Sequence, residues 1–140
     1  MAIPVQVVID ASDPHLLARF WAAALGYEVE DHSAIIEGLL AAGQLPPEAV
    51  VQVESRNAFA DVAACSDPDG AGPRVLIQAV PEAKSVKNRV HLDLHVGADH
   101  ISAEVERLIG LGATQAWTSS DRGPYTVTMR DPEGNEFCVA

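Results

Sequence analysis

Apolar and polar residues change period along this chain in a definite order, and the changes mark out its elements. From Val5 to Asp10 the sides alternate, with Val5, Val7 and Ile9 on one and Gln6, Val8 and Asp10 on the other. Side chains alternate faces along a strand, so this stretch reads as a strand with one face on a core. The period then becomes helical. Leu16, Leu17, Phe20, Trp21, Ala24 and Leu25 recur at helical spacing between Asp13-Pro14 and Gly26. Asp accepts hydrogen bonds from the free N–H groups of a first turn, Pro is tolerated there, and Gly ends a helix in the left-handed conformation. Phe20 and Trp21 are the expected anchors between helix and sheet. A short strand over Tyr27–Glu30 follows. Next comes a second apolar helix from Ser33 to Ala42, with Ile35, Ile36, Leu39 and Leu40 on one side, then the breaker Leu45-Pro46-Pro47. Strands are predicted near Val50–Glu54 and Ala58–Cys65, then the turn Asp67-Pro68-Asp69-Gly70 and a strand over Pro73–Val80.

The order then returns. Glu82 to Asn88 is polar, carries Lys84 and Lys87, and reads as a linker. Arg89–Val96 alternates cleanly, with Val90, Leu92, Leu94 and Val96 on one side and His91, Asp93 and His95 on the other. Asp99 is predicted to cap a helix that turns Ile101, Val105, Leu108 and Ile109 inward and stops at Gly112. A short strand over Ala113–Trp117, a polar loop from Thr118 to Pro124 and a strand over Tyr125–Arg130 come next. The turn Asp131-Pro132-Glu133-Gly134 leads into a last strand, Asn135–Val139.

Asp13 stands as far from Gly26 as Asp99 does from Gly112, each helix follows a strand, and each half ends in a turn and a strand. Such self-similarity marks an internal repeat. The first half is longer by about the size of the Ser33–Pro47 helix and its flanks. The prediction is an α+β fold of two repeated βαβββ modules. They form a cupped mixed sheet, a half-barrel with helices outside, and the first module carries a helical insertion at about 33–50. Residues 1–140 form one domain: module one over 1–83, a linker over 84–88 and module two over 89–140. Each helix covers one face of its sheet. The other faces, with Gln6, Asp10 and Gln78 from module one and His91, Asp93, His95, Glu136 and Cys138 from module two, then line a shared concavity. Small-molecule sites favour such places.

Charge narrows the partners. Nine basic against twenty acidic residues give a net charge of −11, which argues against nucleic acid and anionic membrane. The N-terminal residues lack the basic start and apolar run of a signal peptide, and no stretch of about 18 apolar residues exists. Cys65 and Cys138 form neither a CxxC pair nor a disulfide framework. A reduced, cytoplasmic setting is expected. An acidic cup with Asp10, Asp93 and Glu136 favours a cationic ligand, and Trp117 and Tyr125 flank the polar loop as a stacking wall. His91 or His95 with Asp93 or Glu136 supplies an acid–base pair for an enzyme. A binding module and an enzyme both stay open on these residues.

The segments Ala18-Arg19-Phe20-Trp21 with Leu25-Gly26-Tyr27, Val80 to Leu94, and Asp131 to Cys138 give the chain a resemblance. It resembles the vicinal oxygen chelate superfamily of glyoxalases, bleomycin-resistance proteins and extradiol dioxygenases, and within it the glyoxalase-like domain proteins. The resemblance implies a cup that either sequesters a small organic molecule or performs lyase or isomerase chemistry, and a possible homodimer. It also implies a divalent metal held by one residue from the first and last strand of each module. Those positions fall on Gln6, Gln78, His91 and Cys138. Hard divalent ions favour carboxylates and imidazoles, so this set implies a protein without a tightly bound catalytic metal. A metal-dependent glyoxalase or dioxygenase is the other reading.

Overall fold

The structure, a computed structural model, describes residues 1–121 and 123–140. Arg122, which the sequence places in the 118–124 loop, lies outside the described residues. Packing divides the chain into two units, Met1–Pro81 and Glu82–Ala140.

The first unit contains β1 (Val7–Ala11), α1 (Pro14–Leu25), β2 (Glu28–Val29), α2 (Ser33–Ala41), β3 (Val50–Val53), β4 (Arg56–Phe59), β5 (Val62–Ser66) and β6 (Val75–Ala79). Its four-stranded sheet has the order β1-β6-β5-β2, parallel between β1 and β6 and antiparallel elsewhere. Helix α1 starts and stops where the sequence predicts. The Asp13 carboxylate accepts the Leu16 N–H at 3.1 Å, and Gly26 closes the helix at φ 70°. Leu17, Ala18, Phe20 and Trp21 are buried against Ala63, Cys65, Val75 and Ile77. Full burial of each large apolar side chain contributes roughly 1.5–3 kcal/mol.

The strand predicted over Ala58–Cys65 is two strands. Phe59 pairs with Val50 in a separate β3–β4 hairpin, whereas Val62 pairs with Gln78 in the main sheet. The chain must change partners between them, so it breaks at Ala60-Asp61. The segment between β2 and β5 is therefore a helix and a hairpin together. Of the apolar side expected on α2, Ile36 is fully buried, Leu39 and Leu40 are half-buried, and Ile35 is 61% exposed.

The second unit contains β7 (Asp93–Leu94), α3 (Ile101–Leu111), β8 (Thr114–Ser119), β9 (Thr126–Arg130) and β10 (Glu136–Val139). Its sheet order is β7-β10-β9-β8, parallel between β7 and β10 and antiparallel elsewhere. Strand for strand this repeats the first sheet, so the fold is α+β with two open mixed sheets of one topology. Ile101, Val105 and Leu108 of α3 bury one face of this sheet, where Val127, Met129, Phe137 and Val139 lie.

Three expectations in this unit need correction. The strand expected from Arg89 to Val96 is regular only at Asp93–Leu94, although the ladder with β10 runs from the Leu92 carbonyl to the Val96 N–H. Upstream of Leu92 the Asn88 N–H bonds the Glu136 side chain instead of a neighbouring strand, and Val90 is left exposed. Ile109, expected inward, is also exposed. Asp99 does not cap α3. It sits within a 3-10 turn, Ala98–His100, and His100 at the helix start makes no capping bond with its side chain. Among the described residues no helix is long and apolar enough to cross a membrane.

Candidate functional site

Strand pairing brings polar residues of the second unit onto one face. Asp93 pairs with Cys138, Cys138 with Thr128, and Thr128 with Trp117. Paired residues of neighbouring strands share a face. These four therefore form a row across the whole sheet on the side away from α3, because Val127, Met129, Phe137 and Val139 take the other side. The row holds together through its side chains. Thr128 Oγ1 lies 3.5 Å from Cys138 Sγ. His91, two residues before Asp93 and on the same side, places Nδ1 2.8 Å from Asp93 Oδ1. One donor atom each from His91, Asp93 and Cys138 lie within 4.8 Å of one another.

Along one side of the row, farther along the strands, lies a cavity of about 650 Å³, lined by Asp93, His95, Ser119, Asp121 and Thr126. Ser119 pairs with Thr126 one step along the same face, and Ala140 closes the floor beside them. Along the other side lie Arg130 and Glu136, which also pair. Glu136 is almost fully buried and accepts the Asn88 N–H at 2.9 Å, with Lys84 Nζ at 3.2 Å. Burial pushes its carboxyl up, but the Asn88 N–H, its own backbone N–H and Lys84 together outweigh that and hold it below the usual range. The carboxylate is thus kept ionised and engaged. The Arg130 guanidinium lies 6.0 Å from the centre of the Trp117 ring, within cation–π range. Trp117 and Tyr125 are both exposed, at 42% and 50%.

The residues singled out in the first unit have other partners. Gln78 donates to Asp10 at 2.8 Å, and the two are paired neighbours on β6 and β1. Gln6 accepts from Arg74 Nη1 at 2.9 Å, just ahead of β1. Arg74 also grips Glu30 with two N–H groups at 2.7 Å each, and Ser66 and His32 Nε2 meet the same carboxylate. Arg74 above all, then Ser66 and His32, hold the Glu30 carboxyl down to about 2 against the opposing effect of burial. Asp10 and Gln78 therefore form one hydrogen-bonded pair, and Gln6 belongs to a different cluster.

His91, Asp93, His95, Glu136, Cys138 and Trp117 share one face of one sheet, and Tyr125 enters β9 beside it. Sequence reasoning passed over Thr128, Thr126 and Arg130. Their signal was present: they alternate with Val127 and Met129 along β9. Lys84 was read as linker, and only the folded chain brings it to Glu136.

Over residues 6–140 the chain matches the model of a family described as "Glyoxalase-like domain". No curated protein matches it. Among solved structures it is similar to a glyoxalase/bleomycin resistance protein/dioxygenase family enzyme from Burkholderia phytofirmans. Identity is 15%, the match covers 96% of this chain and 94% of that one, and the TM-score is 0.61. A possible glyoxalase from Bacillus cereus aligns at 13% identity over 99% and 98% of the chains, with a TM-score of 0.60. A fosfomycin resistance protein from Listeria monocytogenes, crystallised with Mn(II) and 1S,2S-dihydroxypropylphosphonic acid, aligns at 10% identity. It covers 99% of this chain and 89% of that one, with a TM-score of 0.62. At these identities the likeness is one of fold.

Proposed function

The chain belongs to the glyoxalase-like domain family, and from that premise we propose that it binds a small polar organic molecule on the α3-distal face of the second unit's sheet. The observation that carries this is the Asp93–Cys138–Thr128–Trp117 row opening into the 650 Å³ cavity at His95. That volume lies in the range of small-molecule sites, and the row supplies a few convergent polar groups on a rigid sheet. On this reading the molecule is held rather than transformed, because the cavity offers a few polar groups for binding on a rigid sheet. Asp93 and Asp121 at the cavity favour a ligand whose near end is cationic or a hydrogen-bond donor. A fragment screen followed by amide NMR tests this. Shifts clustered on His95, Ser119 and Thr126 are expected, and hits that perturb only the first unit would overturn it. The acid–base alternative uses the His91–Asp93 pair. Recovery of the bound molecule unchanged after long incubation supports the binder. Turnover lost in His91→Ala with affinity retained supports the enzyme.

A second reading is favoured by the close approach of His91, Asp93 and Cys138. The fold family implies a divalent metal. An imidazole, a carboxylate and a thiolate fit a borderline-soft cation such as zinc, and they do not fit a hard cation that wants oxygen alone. These three residues would hold it, and it would supply Lewis-acid polarisation of a ligand oxygen. Gln6 and Gln78, engaged with Arg74 and Asp10, are not part of this set. Elemental analysis after zinc supplementation decides. One zinc per chain, lost in Cys138→Ser, supports the reading, and none sinks it.

A further inference from the structure

The side of the sheet face that carries Arg130 and Glu136 has the opposite charge from the rest. Lys84, Lys87 and Arg130 line a groove of about 440 Å³ there with Trp117, Glu133 and Glu136. Three cations thus face two carboxylates in a chain whose net charge is −11. A positive pocket in a negative surface concentrates anions locally.

Part of the groove's donor capacity is unspent, although Lys84 and Lys87 each also donate to a backbone carbonyl, of Val86 and of Asn88. The buried acceptor, Glu136, is occupied by Asn88 and Lys84. Arg130 reaches no closer to Glu136 than 3.9 Å, beyond hydrogen-bond length. Among the described residues neither the Arg130 guanidinium nor the Trp117 Nε1–H has a hydrogen-bond acceptor. The groove therefore presents unspent donors, and what satisfies donors beside a guanidinium is a carboxylate or a phosphate. The half-exposed indole adds a flat apolar wall, with Arg130 6.0 Å from its centre, and such walls select planar rings.

We infer that this groove takes an aromatic carboxylate, with the ring on Trp117 and the carboxylate on Arg130 and Lys87. The inference rests on the reading that this sheet face binds a small molecule, and it names the chemistry of one end of that molecule.

The chain has two tryptophans, Trp117 on the groove and Trp21 in the first unit's core, so its two indole N–H signals report site and control in one NMR spectrum. Benzoate is the probe, and benzamide its uncharged counterpart. Benzoate moves the Trp117 signal saturably and leaves Trp21 in place. Benzamide and the Arg130→Gln variant each weaken the response by about tenfold, the scale of one charge-assisted hydrogen bond. The exposed Lys87→Gln change weakens it by about threefold, as does a rise in ionic strength that screens an exposed charge. Equal response to benzoate and benzamide overturns the inference, as does an unchanged response in both variants or a static Trp117 signal. Fragments that still perturb His95 and Thr126 while benzoate leaves Trp117 unmoved would remove this inference and keep the wider binding reading. A face that no fragment perturbs would remove both.

Discussion

Single residues carry two measurable consequences. The Glu30 carboxyl, held by Arg74, Ser66 and His32, titrates near 2 in the folded chain against an ordinary value of 4.5. A lowered folded value means that the contact stabilises fully above about pH 4.5 and that this contribution is lost as pH falls through about 2. Thermal melts of the native protein over that window should slope downward with acid. Glu30→Gln should flatten the slope and cost roughly 1–3 kcal/mol at neutral pH, because Arg74 keeps its half-buried charge without a counter-ion. Parallel curves for the two proteins would contradict the assignment. The cysteines differ in the same way. Burial above all, then the Glu30 charge, pushes the Cys65 thiol up to about 11, whereas Cys138 is half-buried on the open sheet face. A thiolate-specific reagent at neutral pH should therefore titrate one thiol in the native protein, lost in Cys138→Ser, and both only after denaturation. None of the Glu30 cluster was legible in the sequence. Glu30 and Arg74 stand 44 residues apart, and neither position carries a period that points to the other.

At the scale of elements, legibility followed locality. Asp13 and Gly26 bound α1 through contacts within a single turn of chain, so their residue types sufficed to place it. Asp99 offered the same signal and failed, because the preceding Gly97 and the His100–Val96 hydrogen bond of 3.1 Å fold it into a 3-10 turn first. The Ala60-Asp61 break was invisible for another reason: it is set by which strand each side pairs with, and pairing is decided far away in sequence. The hairpin made by that break carries an element-level prediction. Its two loop residues, Glu54 and Ser55, have φ of 49° and 66°, the left-handed region that such two-residue loops demand and that Asn-Gly supplies with least strain. Glu54→Asn with Ser55→Gly should raise stability by about 1–2 kcal/mol, read as a higher denaturation midpoint with an unchanged slope. A lower midpoint would mean that the native side chains do more at this turn than the backbone requires.

For the whole molecule the repeat is the governing fact, and it makes the two sheets comparable position by position. In the first, Asp10 on the opening strand pairs with Gln78 on the parallel last strand. In the second, Asp93 pairs with Cys138 in the same relation. Two residues earlier stand Val8 and His91, each exposed on the face its helix does not cover. The alternation around His91 was readable from the chain alone, and so was the polar face. The equivalence of Val8 with His91 was not, because the chain before β1 offers Gln6 as the nearer polar residue and only the pairing register sets the count. If the His91–Asp93–Cys138 geometry follows from the topology, it can be transplanted. Val8→His with Gln78→Cys should build a second imidazole–carboxylate–thiol cluster around Asp10, and both changes fall on exposed positions, where folding cost is small. The doubly substituted protein should then take up one zinc more than the parent, with the added equivalent lost in Asp10→Ala and unaffected by Cys138→Ser. Uptake no greater than the parent's, in protein that retains the native melting transition, would show that backbone register alone does not set the spacing and that the second sheet's own surroundings shape its cluster.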